Sequence, residues 1–257
     1  MDYKKYADML YEAERDRRQI DRLTDLEPGM TVADAYRIQL HNANRRLSDG
    51  EKLIGMKIGL TSSGMQKLLN VDKPDFGHLF SNMLIEEGHT VDTSSLIQPK
   101  VEGELTFCIG RELKGPGITA ADVFTATDYV TPSIEIVDSR IKDWKIKLQD
   151  TIADNGSSAR FVLGGRMRPV GKVDMRLTGM TLEKNGELVN SGTAAEVWGS
   201  PAAAVACLAN MLSEYEMALP AGSLVMAGAF TAALEAHAGD VFTASFTNMG
   251  AVTIRFS

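Results

Sequence analysis

Residues 101–107 read VEGELTF, inside the longer run LIQPKVEGELTFCIG (96–110). Leu105, Phe107, Cys108 and Ile109 mark a strand entering a core, yet Glu102 and Glu104 share it. Strand side chains alternate faces with period two, so both carboxylates point the same way, one pleat apart. Like charges side by side on one strand face repel, and burying them adds a desolvation cost. Three arrangements relieve that cost: an exposed face, a retained proton, or a hard cation bound by both acids. Mg²⁺ and Ca²⁺ take oxygen ligands of this kind.

Outward from this run, short apolar stretches alternate with Gly, Pro and Asp turns: LIGMKIGL, DYVTPSIEIVDSR, ARFVLGG, MTLEKNGELV, SLVMAGA, VFTASF and AVTIRFS. These read as strands. Asn185-Gly186 is a two-residue hairpin signal. The last strand alternates Val252, Ile254, Phe256. Two helices interrupt the strands, one beginning at Thr119 and one at Ser200-Pro201, where cap and first-turn proline stand in the preferred order. The second carries Ala204, Val205, Leu208 and Leu212 at helical spacing.

Before residue 50 the texture is helical. Residues 3–20 place Tyr6, Met9, Leu10 and Ala13 on one helix face. A second helix starts at Thr31, with Asp34 in its first turn, and Gly50 stops it. Its apolar line is Val32, Tyr36, Leu40, Ala43, Leu47. The expected organisation is a helical N-terminal arm, 1–50, on a β-rich catalytic body, 51–257.

The chain has 257 residues, 44% hydrophobic and 24% charged, with a net charge of -7. That is ample for a buried core. The acidic balance argues against a nucleic-acid partner, which leaves a basic footprint. No apolar run approaches the roughly 18 residues of a membrane span, and the N-terminus carries no signal-peptide core. A cytoplasmic location is expected. Cys108 and Cys207, far apart in apolar runs, read as buried thiols.

A third acid, Glu135, lies between Ile134 and Ile136 in another apolar strand. Three carboxylates from two strands could converge on one Mg²⁺ or Mn²⁺. The four histidines are scattered, so a zinc site is not indicated. Lys57 sits in a strand-like run between Gly55 and Gly59, either snorkelling to the surface or held near an anion. Asp75 reads as a turn aspartate at Pro-Asp-Phe-Gly. Asp154, Asn155 and two serines precede a strand as a loop with Asx-type caps.

In this order, GMKIGLTS (55–62), VDKPDFG (71–77), PKVEGEL (99–105), IEIVDSRIKDW (134–144) and DTIADN (150–155) resemble the 2-keto-4-pentenoate hydratase family. That family includes the 4-oxalocrotonate decarboxylases and belongs to the fumarylacetoacetate hydrolase superfamily. The resemblance runs from DAYRIQ (34–39) to the C-terminal strand. It implies an α+β fold, a mixed β-roll body of the fumarylacetoacetate hydrolase C-terminal type with a helical N-terminal segment. It implies metal ligands Glu102, Glu104 and Glu135, catalytic Lys57, Asp75 and Asn155, and substrate contacts from Leu60, Thr61, Ser62 and Thr231. The cofactor would be Mg²⁺ or Mn²⁺.

The implied chemistry is a lyase reaction on a small 2-oxo or 2-hydroxy dienoate. In the hydratase reading, 2-hydroxypenta-2,4-dienoate takes up water to give 4-hydroxy-2-oxopentanoate in aromatic meta-cleavage catabolism. PDFGHL (74–79) and SRIKDWKIKLQDT (139–151) resemble the hydratases. In the alternative, a 2-oxo-3-hexenedioate (4-oxalocrotonate) decarboxylase uses the same metal and enolate. Met56 and GAFTAA (228–233) resemble the decarboxylases. A metal-free scaffold protein is the reading from another class. The resemblance also implies a homo-oligomer, with neighbouring pathway enzymes as partners. Arg140, Arg160 and Arg166 are the arginines available to a distal substrate carboxylate, each more simply read as a surface or ion-pair group.

Overall fold

The computed structural model describes residues 1–62, 66 and 73–257. The helices Tyr3–Asp16 (α1), Leu23–Leu26 (α2) and Val32–Ser48 (α3) come first. α1 stops short of residue 20. The chain turns at Arg17, left-handed at φ 51, and the Arg17 N–H closes onto the Ala13 and Glu14 carbonyls. Ile20 is thereby freed to bridge Ile141. α3 begins where its cap directs. The Thr31 hydroxyl accepts from the Asp34 N–H, and the Asp34 carboxylate accepts from the Thr31 N–H in return. Its buried face centres on Ala35, Ile38 and Gln39. Tyr36 and Ala43 are buried as expected, but Val32 and Leu47 are exposed.

The strands follow as Leu53–Gly59 (β1), Asp75–Phe80 (β2), Leu84–Ile85 (β3), Thr90–Val91 (β4), Lys100–Ile109 (β5), Thr127–Val137 (β6), Ser158–Leu163 (β7), Gly179–Lys184 (β8), Glu187–Thr193 (β9), Leu224–Ala229 (β10), Leu234–Glu235 (β11), Val241–Phe246 (β12) and Gly250–Phe256 (β13). Between them lie the helices Ala120–Ala126 (α4), Leu148–Ala153 (α5) and Pro201–Ser213 (α6). One sheet runs β2-β1-β10-β5-β6-β7-β3, with β11 added to β5, and a second runs β4-β13-β12-β8-β9. Both are mixed: β1 pairs with β10 in parallel and β5 with β6 antiparallel, while β13 pairs with β4 in parallel.

The two sheets close on one another. Ile134 and Ile136 of β6 share an apolar core with Phe242 of β12 and Ile254 of β13. Tyr6 and Leu10 of α1 and Ile38 of α3 belong to that same core. The fold is α+β, with a mixed β-roll and a helical N-terminal segment. The β8–β9 hairpin turns at Asn185 (φ 56) and Gly186 (φ 82), the two left-handed residues a type I′ turn requires.

Several local expectations are corrected. Asp75 does not stand in a turn: it opens β2 and is buried. Asp154, Asn155 and the two serines do connect α5 to β7, by a tight turn at Asn155–Ser157, but Asp154 makes no side-chain cap there. Ser200 occupies the cap position of α6 without a side-chain hydrogen bond. Cys108 and Cys207 are free thiols but only half-buried. No helix among the described residues is long and apolar enough to cross a membrane.

Candidate metal centre and active site

β5 and β6 are adjacent and antiparallel, with Glu102 directly opposite Glu135 and Glu104 opposite Ser133. The E-x-E spacing on β5 therefore puts two acids beside the one on β6. Ligand oxygens of Glu102, Glu104 and Glu135 all lie within 4.8 Å of one another. Glu104 and Glu135 are fully buried and Glu102 is half-buried. Of the three relief arrangements open from sequence, the exposed face is ruled out. Glu104 receives one hydrogen bond, from the Gly228 N–H to Oε2 at 2.9 Å. Neither carboxylate oxygen of Glu135 has a hydrogen-bond partner.

Such a cluster raises its own proton affinity. Burial, then the Glu135 charge, pushes Glu102 up to about 7, with Lys57 opposing. Burial, then the Glu135 and Glu102 charges, push Glu104 well above the usual carboxylate range, with Lys57 again opposing. A hard divalent cation fits this donor set: three converging carboxylates, two of whose oxygens are buried and unsatisfied.

β1 brings Lys57 to the cluster. Its ammonium lies 3.6 Å from Glu135 Oε2 and donates to the Gly156 carbonyl at 3.1 Å. Burial alone would lower the Lys57 pKa; Glu135, Asp75, Glu102 and Glu104 reverse this and hold it above the usual lysine value. Of the two readings open from sequence, the lysine is held near anions. Asp75 stands beside it. Asp75 Oδ2 accepts from the Thr151 hydroxyl at 3.3 Å, while Oδ1 is buried without a partner. The approach depends on Gly59, where a Cβ would lie 2.3 Å from Asp75 Oδ1 and 2.9 Å from Lys57 Nζ.

These groups open into one cavity of about 540 Å³. Lys57, Asp75, Glu102 and Glu104 line it, as do Leu60, Thr61, Ser62 and Thr231. Leu60 is left-handed at φ 56, which turns the chain from the end of β1 along the cavity rim. The Thr231 hydroxyl is buried without a partner. Val137, Trp144, Ile146 and Phe230 supply apolar wall. The volume suits a small organic acid.

Residues 57–257 match the family described as Fumarylacetoacetate (FAA) hydrolase C-terminal. The chain belongs to the fumarylacetoacetate hydrolase family. It is 45% identical over 250 residues to a 2-hydroxyhexa-2,4-dienoate hydratase of Comamonas testosteroni, covering 96% of this chain and 95% of the relative. It is 41% identical over 250 residues to a 4-oxalocrotonate decarboxylase of Pseudomonas sp. (strain CF600), covering 97% and 95%. Among solved structures, 4-oxalocrotonate decarboxylase from Pseudomonas putida G7, complexed with magnesium and adipate, matches with a TM-score of 0.97. The two are 39% identical, over 99% of this chain and 97% of that one. Both named activities are lyase reactions.

Within this fumarylacetoacetate hydrolase fold, Asn155 is placed differently from the other expected site residues. Its side-chain oxygen accepts from the His78 N–H at 2.7 Å, and its amide nitrogen donates to the His78 carbonyl at 3.0 Å. The side chain is spent on the β2 backbone and does not line the cavity; the next two residues, Gly156 and Ser157, do. Asn155, Gly156 and Ser157 are all left-handed, with φ of 58, 61 and 55. Residues in this region cost energy and persist where their surroundings over-determine them. Here the neighbouring Asp154 is buried and ion-paired with buried Arg140. Burial pushes Asp154 up to about 6 even though Arg140 opposes it.

That pair settles the arginines. Arg140 is committed to Asp154, and neither Arg160 nor Arg166 lines the cavity. Met56 is also off the cavity. It is buried on the opposite face of β1 from Lys57, paired with His78 of β2. The cation that sequence reasoning missed is Lys100, which does line the cavity. Its signal was present, two residues before Glu102 and so on the same strand face.

Proposed function

We propose that this chain is a metal-dependent hydratase that adds water to 2-hydroxypenta-2,4-dienoate, giving 4-hydroxy-2-oxopentanoate. The observation that carries the reading is the Glu102–Glu104–Glu135 cluster, with unsatisfied Glu135 oxygens and a buried lysine, opening into an apolar-walled cavity. Relatives of both lyase activities, and a magnesium complex of one, support it.

The three glutamates would hold Mg²⁺ or Mn²⁺, which when bound supplies Lewis acidity to the carboxylate and keto oxygens of a 2-oxo acid. Lys57, kept charged by its neighbours, faces the negative charge that develops on the keto oxygen during ketonisation. Asp75, with one oxygen fixed by Thr151 and the other unpartnered, is the group placed to carry a proton to or from the substrate carbons. Protonation at C5 gives the conjugated 2-oxo-3-enoate. Water then adds at C4, and a proton joins C3. The hydroxyls of Thr61 and Thr231 and the backbone at Leu60 and Ser62 orient the substrate. Val137, Ile146 and Phe230 restrict bulk water. Asn155 holds the turn whose Gly156 carbonyl anchors Lys57.

One observation favours a second reading. Lys100 puts a cation in the cavity wall, which suits a substrate with a second carboxylate, as in a 2-oxo-3-hexenedioate decarboxylase. There the terminal carboxylate leaves as CO₂, and its bonding electrons pass through the enone to the keto oxygen. The product is 2-hydroxypenta-2,4-dienoate, the substrate of the hydratase reading.

We further propose a cytosolic homo-oligomer in which residues 1–50 form an arm on the 51–257 body and take part in subunit contacts. Enzymes of neighbouring steps are its plausible partners. The test of the whole reading is Mg²⁺-dependent turnover of the dienoate together with a rise in Tm on adding Mg²⁺. A protein with neither response is a scaffold.

A further inference from the structure

We propose that Gln39, in the helical arm, is a positioning residue for Asp75: its amide clamps together the two main-chain segments that carry Asp75 and Thr151. The inference rests on the reading above, in which Asp75 moves a proton to or from the substrate, and deepens it by naming what sets the place of that carboxylate.

Gln39 lies on the buried face of α3 and is 1% exposed. Its Nε2 donates to the Phe76 carbonyl at 2.8 Å and to the Ile152 carbonyl at 2.7 Å. Phe76 directly follows Asp75, and Ile152 directly follows Thr151. The two residues joined by the Thr151–Asp75 hydrogen bond are thus joined again one residue later, through a single amide. Both amide hydrogens go to carbonyls, which cannot donate, so the nitrogen cannot change places with Oε1.

The topology explains why a side chain takes this task. Among the described residues β2 is the edge strand of its sheet, so its outer N–H and C=O groups face no neighbouring strand. The strand is buried along its whole length, and buried main-chain groups are paired. Asn155 takes the N–H and C=O of His78, and Gln39 takes the C=O of Phe76, two residues earlier. Ile152 stands in the last turn of α5, where carbonyls lack helical partners. Tyr36, one turn before Gln39 on α3, stacks on the Phe76 ring with centroids 4.4 Å apart. α3 therefore grips Phe76 by ring and by carbonyl. The Thr151–Asp75 bond, at 3.3 Å, is long for a hydroxyl donor and holds the carboxylate weakly by itself. Gln39 does not line the cavity, and neither of its partners is on β5 or β6. It acts through Asp75, not on the substrate or the three glutamates.

A residue that acts through Asp75 loses its effect once Asp75 is removed, whereas one that only supports the fold does not. Turnover of 2-hydroxypenta-2,4-dienoate and the Kd for Mg²⁺ are measured for Gln39→Met, which keeps the side-chain length and removes both donors. We expect kcat to fall about ten- to hundredfold, with KM and Mg²⁺ affinity native. In the Asp75→Asn protein, followed with enzyme in excess, the same substitution changes the residual rate by less than about twofold. Native kcat in Gln39→Met, or an equal fractional loss in both backgrounds, overturns the proposal. Native kcat in Asp75→Asn contradicts instead the reading of Asp75, and the proposal falls with it. If Gln39→Met does not fold, Gln39→Asn carries the test, because its amide is one methylene short of the two carbonyls. A crystal structure of either variant reads position without turnover. Asp75 Oδ2 is expected beyond about 3.5 Å from the Thr151 hydroxyl, and an unmoved pair overturns the proposal.

Discussion

Lys57 Nζ lies 3.6 Å from Glu135 Oε2, with both side chains buried. The lysine partly offsets a cluster of three carboxylates that would otherwise repel. It cannot satisfy them all, and both Glu135 oxygens remain without a hydrogen bond. That residual demand is what a divalent cation would meet.

Glu104→Gln follows directly from this repulsion. A glutamine cannot ionise, so it carries none of the repulsion that already raises the Glu104 proton affinity, and its oxygen can still accept from the Gly228 N–H. The metal-free variant is expected to melt no lower than the native protein. The native protein should gain about 2.7 kcal/mol at a hundredfold excess of Mg²⁺ over its Kd, and the variant should lose most of that gain and orders of magnitude in turnover. Thermal shift with and without Mg²⁺ reads both. A metal-free variant much less stable than native, or one with native turnover, would contradict the cluster.

Metal binding should release protons. Glu102 is pushed up to about 7 and Glu104 is shifted the same way, so the metal-free site carries protons at neutral pH that ligation must displace. Mg²⁺ affinity is therefore expected to fall as pH drops below 7, by about tenfold per pH unit for each proton displaced. Calorimetry in buffers of different ionisation enthalpy counts the protons. A count of zero between pH 6 and 8 would sink the assignment.

Gly59→Ala tests the approach of Asp75 to Lys57. A Cβ there would stand 2.3 Å from Asp75 Oδ1, so the carboxylate must move. A displacement near 1 Å can cost about a hundredfold in rate. We expect a loss of that order in kcat with the fold retained by circular dichroism; native kcat would show that Asp75 does not need this position.

His78 governs an acid-sensitive part of the stability. It is buried between the Phe76 and Phe80 rings, and Nδ1 has no partner. Burial lowers its pKa to about 4, with Asn155 opposing, against about 6.5 in the unfolded chain. The unfolded chain takes up the proton first. The contribution is fully present above pH 6.5 and is lost as pH falls towards 4, up to about 3 kcal/mol. His78→Phe should flatten the pH dependence of unfolding free energy across that window. An unchanged slope in urea titrations would show that His78 is protonated in the folded state.

The parts of this fold legible in sequence are those set by short-range rules. The Thr31 cap, the Asn185-Gly186 hairpin and the alternation of Glu102 with Glu104 each follow from neighbours within a few residues. What sequence hid is set by distant partners. β10 comes from far along the chain to lie between β1 and β5, which carries Lys57 to within reach of the glutamates. The resemblance implies Asn155 at the substrate, and a short polar side chain before a strand gives no hint that β2 claims both ends of its amide. Arg140 is the ion-pair group its sequence reading favours, but its partner, Asp154, is fixed only by the fold. Lys100 is not legible as a cavity group in the sequence, because its cavity and its contact with the Trp144 ring exist only after folding.

The most direct measurement is a product assay by NMR. The protein with Mg²⁺ receives freshly made 2-hydroxypenta-2,4-dienoate in one tube and 2-oxo-3-hexenedioate in another, with metal-free controls. The account predicts Mg²⁺-dependent appearance of 4-hydroxy-2-oxopentanoate in the first tube. CO₂ release in the second tube with no hydration in the first would contradict the hydratase and establish the decarboxylase, and no conversion in either would contradict the lyase altogether.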